Sequence, residues 1–226
     1  MKVYTVAFNN PSLITYQKKL LDKFFPPHEF TVVCNAKSEA FHQLILEQAE
    51  QNNIPFIESS CSREDIPGSD HHGKCLTWLY SQYIKNTDDL VVILDHDMFP
   101  VKFVDPYVII EHYSIVGYMD HRGDVKYFWP GLLFIRPSTI VESLNFEPSY
   151  AHGNRLDTGG GTYSYVERYP DRLKDFNVEL VCSCDYIPGY GFWHLGRGSN
   201  WNNDPEFEFN VRMEQSKQIL QQLIDS

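Results

Sequence analysis

The chain of 226 residues has no run of about 18 apolar residues, so no segment reads as a membrane-spanning helix. Its opening, "MKVYTVAFNNP", breaks at Asn9, Asn10 and Pro11 before reaching the length of a signal-peptide core, and export is not expected. Basic residues are scarce: 19 Lys and Arg stand against 30 Asp and Glu, a formal charge of −11. A duplex nucleic acid needs basic surface to neutralise its phosphates, so no nucleic-acid partner is expected, and an anionic ligand requires a metal or a local basic pocket. Zinc-ligand spacing is also absent. The five cysteines, Cys34, Cys61, Cys75, Cys182 and Cys184, are odd in number and include a C-S-C pair too close to bridge easily, which reads as reduced thiols of a cytoplasmic protein. His71, His72 and Cys75 form a turn-spaced cluster with no matching second half, and packing is the simpler reading. No repeat or low-complexity linker divides the chain, so one domain is expected.

What the chain does contain is a regular alternation in its first half. "KVYTVAF" (2 to 8) is a β-branched and aromatic run ended by "NNP", and "SLITYQKKLLDKFF" (12 to 25) carries apolar residues at helical spacing until Pro26 and Pro27. "FTVVCNA" (30 to 36) predicts a second strand, and 38 to 53 a second helix with Ser38 as N-cap. A third strand follows at 54 to 59, a helix over 71 to 86, and then the strand "LVVILDHD". Strands alternating with helices imply a mixed, mainly parallel α/β sheet covered on both faces. The second half is more irregular and aromatic-rich. Strands are expected at 113 to 119, 127 to 137 and 178 to 184, and helices at 161 to 169 and near 206 to 224.

The sharpest feature is "VVILDHDMFP" (91 to 100), an apolar strand ending on Asp95 and Asp97. Parallel α/β sheets gather ligands at the carboxyl ends of their strands. Residues i and i+2 of a strand project to one side, and two carboxylates brought together repel unless they share a cation or proton. Oxygen donors at such an edge suit Mn2+ or Mg2+. One enzyme class with such a pair, the haloacid-dehalogenase-type phosphatases, uses the first Asp as nucleophile in D-x-D-x-T/V. Here Phe99 stands in the last position, the pair lies almost halfway along the chain, and no later acidic doublet follows a strand.

With "KVYTVAF", "FTVVCNA", "IPFIES" and "LVVILDHD" counted as strands one to four, the chain resembles, over nearly its full length, the GT-A nucleotide-sugar glycosyltransferases, whose D-x-D ends the fourth strand. The resemblance implies a GT-A-like fold. It also implies that residues 1–97 bind the nucleotide sugar and 98–226 the acceptor, and that Asp97, with Asp95 directly or through water and ribose, ties a divalent metal to the donor diphosphate. "GFWHLGRGSNW" (191 to 201) is similar to the C-terminal H-F-x-G-x-x-K-P-W motif of glycogenin-like and bacterial galactosyltransferase-like families. His194, Gly196 and Trp201 correspond once the spacing between the His and the Gly is shortened by one residue. Ser199 stands in place of Lys and Asn200 in place of Pro. His194 is then a third metal ligand, and Arg197, Ser199 and the glycine-rich backbone take the phosphate.

The remaining site residues follow from position. "LDTGGGTYSY" (156 to 165) sets three glycines before a helix, where close approach to an oxygen-rich ligand is allowed. The comparable loop of such glycosyltransferases lies under sugar and acceptor, which makes Asp157 the catalytic carboxylate, Asp185 and Asp120 the runners-up, and Gly159 and Gly160 acceptor-side residues. Trp129, beside Phe128 and ahead of Pro130-Gly131, is the aromatic platform for an acceptor, with a core position as its alternative. Ala7, Phe8 and Asn9 face the nucleobase. Lys74, or the N-terminal turn of its helix, is expected to contact diphosphate or ribose, Asp70, His71 and His72 to hydrogen-bond the donor, and His96 either to contact the donor sugar or to point away. The expected activity is transfer of a sugar from a nucleoside diphosphate, UDP by family habit, to a carbohydrate or other hydroxyl acceptor. A metal-dependent phosphohydrolase and a non-catalytic sugar- or nucleotide-binding module are the alternatives.

Overall fold

The computed structural model describes residues 1–62, 64, 66–176, 180–196 and 206–226. The first half runs β1 (Lys2–Ala7), α1 (Ser12–Phe24), β2 (Glu29–Cys34), α2 (Glu39–Gln51), β3 (Phe56–Glu58), α3 (Gly68–Leu79), β4 (Val91–Asp95) and β5 (Met98–Pro100). The second half holds α4 (Pro106–Ile109), β6 (Ile115–Arg122), β7 (Val125–Ile135), the hairpin β8 (Ser149–Ala151) and β9 (Asn154–Leu156), then α5 (Tyr163–Arg168), β10 (Leu173–Asp175), β11 (Val181–Ser183), β12 (Phe192–His194) and α6 (Glu206–Asp225). Seven strands form the main sheet in the order β10-β6-β7-β4-β1-β2-β3. β7 runs against its neighbours β4 and β6, and the other pairings are parallel.

The sequence of β4 explains its central place. Side chains alternate along a strand, so Val92 and Leu94 enter the core under α1 and α2, while Val91 and Ile93 enter the one under α3 and α5. All four are fully buried. A strand covered on both faces must be apolar at every position, and burying each such side chain contributes about 1.5–3 kcal/mol. The helices are placed by the same logic. α2 starts where Ser38 accepts a hydrogen bond from the Phe41 N–H, as the N-cap reading expects.

α1 buries Leu13, Ile14, Gln17, Leu20 and Leu21, one stripe at helical spacing with an amide in the middle. The Gln17 Nε2 donates to the Asp95 carbonyl at 2.9 Å and to the Met98 carbonyl at 2.8 Å. Those two carbonyls bracket the turn that leads from β4 into β5. β5 leaves the main sheet and joins a second sheet of order β11-β12-β5, in which it pairs antiparallel with β12 and sets His194 opposite Met98. The Leu195 N–H donates to the Asp97 carbonyl at 3.0 Å. A third core, including Leu13, Leu20, Phe99, Trp193, Met213 and Leu220, joins this small sheet to α1 and α6.

Several boundaries differ from expectation. The helix expected over 71 to 86 begins at Gly68, directly after the extended Pro67, and passes at Tyr80–Ile84 into a π-helical turn. The helix expected at 161 to 169 is a 3-10 turn at Gly160–Thr162 followed by α5. The strand expected at 178 to 184 is described from Val181. β5, β8, β9, β10 and β12 have three residues each, too short for a two-residue hydrophobic period to register.

Because Gln17 satisfies two backbone acceptors at once, Gln17→Leu keeps the side-chain size and strands both carbonyls. The expected loss is about 2–4 kcal/mol, read as a lower urea midpoint at unchanged slope. An unchanged midpoint would show that the turn does not depend on this amide.

Candidate active site

At the carboxyl ends of β1, β2 and β4 lies a cavity of about 490 Å³. Strand ends supply Val6 and Phe8, Asn35, and the run Asp95-His96-Asp97. The first turn of α3 supplies Gly68, Ser69 and His72, β7 supplies Trp129 and Pro130, the following loop Asp157 and Thr158, and β12 His194. The cavity therefore draws on both sides of position 97. Its lining holds three carboxylates and three imidazoles, and no Lys or Arg among the described residues.

Asp95 and Asp97 do not project side by side as two residues of a continuing strand. β4 stops at Asp95, and residues 96 and 97 turn. Asp95 Oδ1 meets His72 Nε2 of α3 at 3.3 Å, and Asp97 Oδ1 meets His194 Nε2 of β12 at 3.5 Å. Burial raises the Asp95 pKa, the His72 charge opposes it, and the Asp97 carboxylate adds to it. For His194 burial disfavours the imidazolium, but the charge and hydrogen bond of Asp97, helped by Asp95, prevail and raise the pKa. His96 is buried, its pKa lowered first by that burial, and it hydrogen-bonds the Val6 backbone, which ties the end of β4 to that of β1.

The far wall is built around two glycines. Gly159 has φ +89°, and a Cβ there would stand 1.9 Å from the Phe128 carbonyl oxygen, so only glycine lets the loop lie on β7. Thr162 Oγ1 accepts from the Phe128 N–H at 3.0 Å and donates to the Gly159 carbonyl at 2.7 Å, and Thr158 Oγ1 donates to the Ser69 carbonyl at 3.1 Å. This holds Asp157 at the cavity edge, where its Oδ1 accepts from the Thr158 N–H at 2.8 Å. On β7 the register with β6 slips between Gly117 and Tyr118, so Trp129 faces Tyr118 while Leu133 faces Gly117. Pro130, Gly131 and Leu132 form the bulge. A Cβ on Gly131 would lie 2.0 Å from the Trp129 ring, so the indole folds back over that glycine and reaches His194, with ring centres 5.0 Å apart.

Asp95, His96, Asp97, His194, Asp157, Trp129 and Phe8 thus share one cavity, across almost 190 residues of sequence. Other expected residues do not line it. Ala7 is buried in β1 opposite Cys34, and Asn9 and Asp70 are not among the lining residues. His71 is fully buried and donates to the Cys61 carbonyl at 2.7 Å, because the α3 turn that presents His72 directs its neighbour into the core. Lys74 sits one turn further on, outside the cavity, beside Glu64 at 3.4 Å. Gly159 and Gly160 support the loop from beneath. Asp120 lines a neighbouring cavity, and Asp185 is exposed. Arg197, Ser199 and Trp201 lie outside the described residues. No disulfide joins the five cysteines. Asn35 and His72 also line it; Asn35, the polar residue just before the end of "FTVVCNA", was not expected there.

Two donors each about 2.1–2.2 Å from one cation stand about 3.0–3.4 Å apart, according to geometry. The 3.5 Å between Asp97 and His194 is close to that spacing. Among the described residues no group of three or more His, Cys, Asp or Glu forms a metal shell. One carboxylate oxygen and one imidazole nitrogen are two of the donors a divalent cation would need, the others having to come from water or a ligand.

No protein-family model matches the chain, and no curated protein matches its sequence. Solved structures do resemble it. Mouse xyloside xylosyltransferase 1, in its apo form, aligns with a TM-score of 0.51 at 8% identity, over 86% of this chain and 97% of its own. An active-site mutant of LgtC aligns at 0.49 and 13% identity over 86% of both chains. The mannosyltransferase PcManGT from Pyrobaculum calidifontis, in complex with GDP-Man and Mn2+, aligns at 0.49 and 14% identity over 78% of this chain and 54% of its own. The chain has the GT-A fold.

In metal-free protein the His194 ring is expected to titrate above the ordinary 6.5, and in Asp97→Asn below it, since burial then dominates. Histidine side-chain NMR reads both. A raised folded pKa contributes stability that is complete below the unfolded pKa and lost as pH rises through the folded one, so wild type should exceed His194→Gln in urea stability most at about pH 5 and least at about pH 8. A wild-type ring titrating below 6.5 would overturn the assignment.

Proposed function

We propose that this protein is a metal-dependent glycosyltransferase that moves a sugar from a nucleoside diphosphate donor, with UDP the expected nucleotide, to a hydroxyl acceptor. The observation that carries the reading is the meeting of Asp97 and His194 in a GT-A-fold cavity that has three carboxylates and, among its described lining residues, no Lys or Arg. A diphosphate cannot rest against that lining unaided, because like charges repel in a partly desolvated site. Asp97 and His194, with Asp95 through water or ribose, would hold Mn2+ or Mg2+, which when bound offsets charge gathering on the leaving nucleoside diphosphate.

The chain's own residues do the rest. Phe8 and Asn35, at the ends of β1 and β2, lie where a nucleoside would rest; on this reading residues 1–97 supply most of the donor side and 98–226 the acceptor side. His72 sits against Asp95 and keeps that carboxylate aimed into the cavity. Trp129 offers a ring face at the reacting end. The acceptor oxygen forms its bond to the anomeric carbon while the bond from that carbon to the diphosphate oxygen breaks, and the electron pair leaves on the diphosphate. Asp157 takes the proton released by the acceptor hydroxyl.

A thermal-shift screen of nucleotide sugars with and without Mn2+ tests the class, because a bound donor raises the melting temperature by mass action. Asp97→Ala should abolish the metal-dependent part of that shift and leave the unliganded melting temperature near wild type. Donor binding and turnover that survive this change would sink the metal assignment. Phosphate release from simple phosphomonoesters with no acceptor present would favour hydrolase chemistry instead.

Asp157→Asn should keep the metal-dependent shift and slow transfer by about 100-fold or more, the usual range for a lost general base. Transfer at the wild-type rate would move that role to another residue.

A further inference from the structure

A second cavity, of about 580 Å³, lies against the first and shares two of its lining residues, Trp129 and His194. The partition between them is one indole and one imidazole thick. Trp129 is held there by the bulge over Gly131 and by Tyr118, whose ring meets it edge-on at 6.0 Å. The chemistry changes across this partition. Where the first cavity presents three carboxylates, the second is walled by Tyr118, Leu132, Phe176, Ile187 and Tyr190. Asp120 is its one acid, and no Lys or Arg lines it among the described residues. Asp120 is already engaged: it accepts from the buried Tyr127 hydroxyl at 2.6 Å, and that oxygen in turn accepts from the Asp157 N–H at 3.4 Å. Tyr118 and Ile187 remain 44% and 47% exposed, so the cavity keeps apolar surface wet. Apolar surface gathered in a concavity beside a polar site is a feature of ligand pockets.

We propose that this second cavity binds the acceptor, and that the acceptor is a hydroxyl compound with an apolar body: an aryl or alkyl group carried beside the reacting hydroxyl. This rests on the first cavity being the donor site, because the shared Trp129 and His194 then stand between leaving group and acceptor. Asp120 is paired with Arg122 at 3.5 Å, and Arg122 is not a lining residue, so an anionic acceptor would find no Lys or Arg among the described residues of the lining. A bare oligosaccharide would leave the aliphatic walls mostly unmatched, since among the described lining residues Asp120, Ser183, the tyrosine hydroxyls and, weakly, the Cys182 thiol offer side-chain hydrogen bonds apart from the shared indole and imidazole. An aryl or alkyl group would cover Tyr118 and Ile187 and displace the water held against them.

The test is calorimetric titration of the full chain with methyl, octyl and 4-nitrophenyl glycosides of the same hexoses and pentoses, without nucleotide. The octyl or 4-nitrophenyl member of a series should bind at least about tenfold tighter than the methyl member. A stronger aryl glycoside identifies a flat group and a stronger octyl glycoside a chain; either result supports the proposal. Ile187→Ser, at an exposed rim position whose change removes little packing, and Tyr118→Ser, which also removes the edge contact on Trp129, should each cut that preference at least threefold. Equal affinity across a series overturns the inference, as does a preference that survives both substitutions. Binding of UDP and GDP with Mn2+ is measured on the same protein. Nucleotide binding without aglycone preference refutes the acceptor inference alone, whereas aglycone preference without nucleotide binding leaves the apolar site standing and refutes the donor reading.

Discussion

Everything at the proposed site hangs on how one turn is held. Between Asp95 and Met98 the chain leaves a fully buried strand and crosses to a different sheet, which exposes backbone carbonyls where water has little access. Gln17 satisfies two of them from α1, and the Leu195 N–H takes a third, that of Asp97. These bonds fix the direction in which each acidic side chain leaves the turn. Asp95 goes toward α3 and Asp97 toward β12. Without the crossing there would be no antiparallel β5–β12 pair, and His194 would have no reason to lie beside Asp97.

The electrostatics follow from that placement. Carboxylates gathered at the strand ends are each faced by a group that tolerates or shares a cation: His72 for Asp95 and His194 for Asp97. Both pKa values are raised, for different reasons: burial first and then the Asp97 charge disfavour the Asp95 carboxylate, whereas at His194 the Asp97 and Asp95 charges outweigh a burial that opposes the imidazolium. The opposite wall is mechanical. Gly159 allows a loop to lie on β7, and Gly131 allows an indole to lie back over its own strand, so the aromatic partition is set by two missing side chains. Across that partition the lining changes from acidic to apolar.

The core of this was readable in residue order. The continuous apolar run of β4 announces a strand buried on both faces, the spacing in α1 announces its buried stripe, and Ser38 announces the start of α2. Other features misled for physical reasons. The two-residue repeat that puts Asp95 and Asp97 on one side assumes a strand that continues; the strand stops at Asp95, and the two carboxylates share the cavity through a turn instead. His71, His72 and Lys74 look equivalent in a string, but a helix turns 100° per residue, so adjacent positions face core and cavity, and a third faces solvent. Gln17 is a polar residue within an apolar stripe, and its two partners, 78 and 81 residues away, leave no mark in the order of residues. Three-residue strands such as β5 and β12 carry too little pattern to be seen at all.

The sequence by itself therefore determined the class of fold, the strand that ends on acids, and the residue types available for a metal and a proton. Local spacing suffices for these, because helix and strand periods are properties of neighbouring residues. The tertiary structure decided which of those residues meet. His194 reaches Asp97 through an antiparallel register, Trp129 reaches His194 through a bulge, and Asp157 reaches the cavity through a glycine that no side chain could replace. Each of these depends on backbone hydrogen bonds and steric contacts between segments far apart in the chain, and such contacts leave no periodic trace in the order of residues.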